Sequence, residues 1–212
     1  DLQLPGAGRA LQAAARKQSE TDRPGVFLRI KLNLIDMEFK EMIARRRSVR
    51  KFTERTVPRE VVDRIVGAAL TAPSSRNSRS TRFLVVDDPA VVARMAGMRD
   101  YGAGFLKGAP CAVVVLGDGA KTDLWRENAA IAATILQLAC VDEGLASCWV
   151  HIDGRPCVKD APDGEKAADY LRTFLPMPEG CDPLCVIALG YSDFVPAPLP
   201  EADDAARVTW LK

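Results

Sequence analysis

The sequence predicts an α+β fold, a mixed sheet with helices packed on it, and three observations carry that prediction. Helical and strand patterns alternate along most of the chain. The run Cys111 to Leu116 is apolar without interruption, the pattern of a strand covered on both faces. Asn128 to Glu143 is built almost wholly of Ala, Ile, Leu and Cys, so it reads as a helix with no side to offer water. At 212 residues and 48% hydrophobic, the chain favours one good core over two.

The elements follow in order. Asp1 to Arg23 is rich in Ala, Arg, Gln and Gly and poor in large apolar residues, which predicts a frayed helix or disorder. A basic stretch of this kind also fits a transit peptide. An extension upstream of an internal Met37 is the simpler reading, so 1–36 is expected to stand apart from a domain over 37–212. From Glu38, the spacing of Phe39, Met42 and Ile43 predicts a helix that ends where Arg46 begins. Pro58 opens a second helix with Val61, Val62, Ile65, Val66, Ala69 and Leu70 as its apolar stripe, stopped by Thr71-Ala72-Pro73. Phe83 to Val86 is a short strand closed by Asp87-Asp88-Pro89, and Val91 to Met98 is helical. Ala109-Pro110 leads into Cys111 to Leu116. The helix Asn128 to Glu143 must be covered all round, which in so small a chain predicts the centre of a subunit interface. Gly144 ends it, Ala146 to Ile152 and Leu184 to Gly190 are strands, and Val195 to Pro200 is an extended Pro-rich arm.

Composition excludes several functions. The 29 basic and 28 acidic residues cancel, so no overall field draws the chain to nucleic acid or to an anionic membrane. No stretch approaches the ~18 apolar residues of a membrane span. Residues 1–50 hold eleven Lys or Arg against six acids, and 153–212 hold six against eleven, which directs any anion site to the first part. Six cysteines without Cys-x-x-Cys spacing read as reduced, mostly buried thiols of an intracellular, cytoplasmic protein; Cys181-x-x-x-Cys185 has no second pair to complete a metal site. His151 is the only histidine, and strand alternation turns Cys148 away from it, against a Cys-His nucleophile. Gly102-Ala103-Gly104 and Gly119-Ala120-Lys121-Thr122 complete neither a dinucleotide fingerprint nor a P-loop.

Two polar signatures remain. Arg46-Arg47-Ser48-Val49-Arg50 places three guanidiniums and a hydroxyl within five residues, donors that match a phosphate monoester at any pH. Read blandly, the same cluster is a solvated helix end. Pro73-Ser74-Ser75-Arg76-Asn77 offers turn amides and a carboxamide, suited to a planar heterocycle or a polyol, and is equally an ordinary loop. Together they point to a phosphorylated aromatic cofactor held by side chains.

In this order the segments resemble the nitroreductase family of flavin mononucleotide (FMN) enzymes, over Met37 to Trp210. The resemblance rests on Arg46 to Arg50, Pro73 to Asn77, Ala109-Pro110, Asn128 to Glu143, Gly144 to Trp149 and Leu189-Gly190-Tyr191. It implies a three-layer fold with a mainly antiparallel sheet, an intertwined homodimer, and FMN at the subunit interface. Arg46, Arg47, Ser48 and Arg50 would hold its phosphate and ribityl chain. Asn77, with Pro73 and the Ser74 to Arg76 backbone, would reach ribityl and ring edge from the partner subunit. The main-chain amides of His151-Ile152-Asp153-Gly154 would approach flavin N5 and O4. The implied activity passes hydride from NAD(P)H through FMN to a nitroaromatic, quinone or similar small-molecule electron acceptor by a ping-pong mechanism, with no compulsory side-chain catalyst. Alternatives are a specialised flavin reaction such as dehalogenation, or flavin sequestration without turnover. Arg79-Ser80-Thr81 departs from the family's Gln-Pro-Trp, and the late basic pair is missing, with Arg207 as a substitute.

Overall fold

A computed structural model describes residues 38–197 and 205–211. The expectations for 1–36, and for the end of the Pro-rich arm at 198–200, lie outside the described residues. Four strands, β1 (Thr81–Val86), β2 (Cys111–Asp118), β3 (Ala146–His151) and β4 (Cys181–Gly190), form one sheet in the order β1-β2-β4-β3. Every neighbouring pair is antiparallel. Among the described residues the expected mixed character is confined to one isolated parallel bridge, Ser48 to Ser147.

Alternation along β2 builds two cores. Ala112, Val114 and Leu116 face one, closed by α3 (Pro89–Met95) and α5 (Ala167–Arg172). Cys111, Val113 and Val115 face the other, closed by α2 (Arg59–Ala69) and α4 (Trp125–Asp142). The uninterrupted apolar run was the signal for this burial, and β2 is fully covered from Cys111 to Gly117. Helices therefore lie on both faces of the sheet, in three layers. A short α1 (Phe39–Arg45) precedes α2. Arg64 on α2 grips Glu143 at the end of α4 with two bonds of 2.7 and 2.6 Å, fixing the two helices against each other.

Helix α4 opens at Trp125 and β1 at Thr81, three and two residues before the expected starts, and two further elements differ from expectation. Helix α5 has six residues, too few to display a 3.6-residue period, and was not foreseen. Strand β4 starts at Cys181, three residues early, because Asp182 and Pro183 pair with Gly117 and Leu116 beside an irregularity in β2 between Val115 and Leu116. Such a break in the ladder accommodates a proline that lacks an N–H.

Helix α4 packs closely on the sheet. A Cβ at Gly117 would fall 2.3 Å from the Trp125 ring, so glycine there is what lets the indole lie against β2. Its inner face carries Ala129, Ala133, Leu136 and Cys140. Within one chain the outer face is not covered: Ile131 is 41% exposed, and Ile135 and Leu138 are half-buried. All six cysteines are free and five are buried. Burial pushes the Cys111 thiol up to about 12 and raises Cys140 and Cys185 as well, so these are inert, protonated core residues.

Candidate functional site

The arginine segment leaves α1 in an extended conformation, with Arg46 at φ −58°, ψ 122°. Val49 is buried and its N–H donates to the Ser147 carbonyl at 3.0 Å, docking the segment on the edge of β3. The three guanidiniums then divide. Arg47 turns back and donates to the carbonyls of Ala44 and, at 3.0 Å, Arg46, the role of a cation at a helix end. Arg46 finds no side-chain acceptor among the described residues. Arg50 reaches only the Ser48 carbonyl at 3.4 Å and stands 5.9 Å from the centre of the Phe105 ring. The segment thus carries two guanidiniums and a hydroxyl with no side-chain counter-anion among the described residues.

The turn after Pro73 is held in an uncommon shape. Arg76, Asn77 and Arg79 all have positive φ, at 51°, 52° and 46°. Asparagine tolerates that region, whereas arginine pays about 1–2 kcal/mol to enter it. Ser74 helps: its carbonyl accepts from the Asn77 N–H at 2.9 Å and its hydroxyl from the Arg79 N–H at 3.0 Å. Asn128, buried in the first turns of α4, accepts from the Ser75 N–H at 2.9 Å and donates to the hydroxyls of Ser78 and Ser80 at 3.3 and 3.0 Å. Ser80, in the segment that departs from the family pattern, is fully buried and serves this network. Asn77 itself is exposed, in loose contact with Arg79 Nε at 3.5 Å.

The loop after β3 presents backbone. Ile152 and Asp153 N–H groups both donate to the Leu184 carbonyl, at 2.9 and 3.2 Å, and the Arg155 N–H closes the turn onto Ile152 at 2.9 Å. Gly154 adopts φ 67°, which glycine reaches without steric cost. Its N–H has no acceptor among the described residues, so of the loop's amides it is the free donor. Arg126, on the first turn of α4, clamps Asp153 with bonds of 2.6 and 3.3 Å and balances the acid that the sequence had placed here. Arg99 donates to the His151 carbonyl at 2.8 Å, lies 3.9 Å from the centre of the Tyr101 ring, and leaves its buried Nε without a partner. The His151 ring stacks on Trp149, 6.3 Å between centres, as expected of i and i+2 on one strand face. Burial above all, then Arg155 and Arg99, holds its imidazole below the ordinary value despite Asp153.

The arginine segment and this loop share β3. They meet it at Ser147 and His151, four strand steps or about 13 Å apart. No hydrogen bond joins the turn to either of them among the described residues. Arg126 and Asn128 are two residues apart on α4 and so project roughly 200° apart, leaving the helix between loop and turn. FMN passes a test of chemical fit: among the described residues Arg46 and Arg50 lack an anion and the Gly154 N–H lacks an acceptor, which a phosphate and a carbonyl-bearing ring supply. Arg99, Arg126 and Asn128 were missed by sequence reasoning.

Residues 43–98 and 92–191 match the model of the Nitroreductase family. A protein of Methanothermobacter thermautotrophicus with the provisional name NADH dehydrogenase/NAD(P)H nitroreductase is 32% identical over 158 residues, 73% of this chain and 78% of its own. An FMN-dependent nitroreductase from Clostridium difficile has a solved structure that superposes with a TM-score of 0.74 at 36% identity, covering 81% of this chain and 98% of that one. Iodotyrosine deiodinase 1 of Sus scrofa is 45% identical, but over 58 residues, 27% of this chain and 20% of its own.

Proposed function

The chain belongs to the nitroreductase family, and on that premise we propose that it is an FMN-dependent oxidoreductase, using NAD(P)H to reduce a nitroaromatic, quinone or similar acceptor. The observation that carries the reading is the set of unanswered donors along β3. Arg46, Ser48 and Arg50 hold the phosphate end, and the Gly154 N–H serves the ring end, on a loop that Arg99 braces through the His151 carbonyl. When bound, FMN supplies hydride acceptance and return at its N5. The protein's part is to orient the ring, keep cationic groups near it and leave one face open. Donor and acceptor share that face, so they bind in turn and double-reciprocal plots run parallel.

The reading includes a homodimer. Since α4 separates loop and turn within a chain, Pro73, Ser74, Ser75 and Asn77 serve the site of a partner copy, and the open stripe Ile131, Ile135 and Leu138 is the surface that pairs. Six reduced thiols suit the cytoplasm. The purified protein is expected to be yellow and to release FMN on denaturation; FAD, or a colourless protein indifferent to added FMN, contradicts the reading. The partial deiodinase likeness favours a second reading, reductive dehalogenation of a phenol on the same scaffold. Turnover of a nitroaromatic and of a halophenol by the reduced protein separates the two, and oxidation of NAD(P)H with added quinone separates either from a flavin store without turnover.

A further inference from the structure

We propose that Asn128 is a positioning residue, one that sets the backbone of the Pro73 to Asn77 turn for flavin binding without touching the flavin itself. The inference rests on the reading above. Three of four residues from Arg76 to Arg79 are in the left-handed region, two of them arginines, so local sequence preference does not hold this shape. Something outside the turn must. Asn128 is 3% exposed on a long helix, and all three of its side-chain hydrogen bonds go to residues 75–80. It touches residues 75, 78 and 80, so its bonds bracket the left-handed residues on both sides. The orientation of the carboxamide is itself determined, because the Ser75 N–H can only donate and therefore selects Oδ1. The Nδ2 group must then donate to Ser78 and Ser80.

A second buried amide on the same helix shows how specific this is. Gln137, nine residues later, makes a single bond to the Ser147 hydroxyl at 3.4 Å, beside the arginine segment. Asn128 serves the turn alone. The turn faces the ring and ribityl chain, whereas the arginines face the phosphate, so the two kinds of variant are separable by choice of ligand.

The test is fluorescence titration of the apoprotein with FMN and with riboflavin, combined with hydrogen exchange at the Ser75 amide. Asn128→Leu keeps the side-chain shape and removes all three bonds. It is expected to weaken both ligands by a similar factor, about tenfold or more, since a buried N–H and two hydroxyls lose their partner. Ser75 exchange accelerates in the apoprotein while the β2 amides stay protected. Arg46→Ala weakens FMN and spares riboflavin. Ile65→Val, in the α2 core, lowers melting temperature and changes neither affinity. Ser80→Ala, which removes one bond of the three, gives a smaller effect in the same direction and stands in if the Leu variant does not fold. Unchanged affinities in a folded Asn128→Leu protein, or an equal loss in Ile65→Val, overturn the proposal. A wild-type protein that binds neither flavin overturns the functional reading on which it stands.

Discussion

Arg46 and Arg47 are neighbours in sequence with opposite assignments in space. Arg46→Ala or Arg50→Ala is expected to lose about 1.5–3 kcal/mol of FMN binding, the range for a hydrogen bond to a charged group. Arg47→Ala, whose guanidinium serves helix carbonyls, is expected to leave FMN affinity nearly unchanged and to cost α1 about 0.3–1 kcal/mol. Equal losses at 46 and 47 in a flavin titration contradict the division. His151 gives a pH dependence of defined sign. Its folded value lies below the ordinary one, so the neutral ring is favoured in the fold. The associated stability is complete above roughly pH 6.5 and is lost as pH falls from there through the folded value. Melting temperature measured from pH 8 to 5 should decline less steeply in His151→Gln. The arginine cluster and the Pro-Ser turn were legible because each is contiguous. Asn128, Arg99 and Arg126 were not, since their partners lie 53, 52 and 27 residues away and no local pattern encodes that.

At the scale of elements, α4 was the most readable and the most instructive. Its composition announced burial on every side, yet one chain covers only the inner face. Ile131→Asp is the discriminating change. In a single chain the site is open enough for the carboxylate to stay hydrated, so the protomer keeps its fold. In a paired interface the charge is buried without a partner, and the dimer separates. Size-exclusion chromatography should report a monomer that has also lost FMN, because a ligand held by both subunits leaves with either. A dimer unaffected by this change places the interface elsewhere. The strands followed the apolar runs well in their centres and poorly at their ends. Asp182-Pro183 reads as a turn, and only pairing with β2 makes it strand.

For the whole molecule, the family match begins at residue 43, after the segment whose composition set it apart. A chain starting at Met37 is expected to keep its melting temperature and full flavin content, checked by absorbance of the purified protein; loss of either assigns 1–36 to the fold. The layered architecture was legible in outline from β2 alone, whereas the order β1-β2-β4-β3 was not, because insertion of the last strand between two earlier ones leaves no trace in spacing. The cysteines lead to one more consequence. Five of the six are buried, four of them in the two cores, and Cys157 is only partly covered. A thiol reagent added to the native protein should therefore modify one position promptly and the remaining five only as the cores open. The ratio of these rates measures the opening equilibrium from within, residue by residue on β2, α4, β3 and β4, without any introduced label.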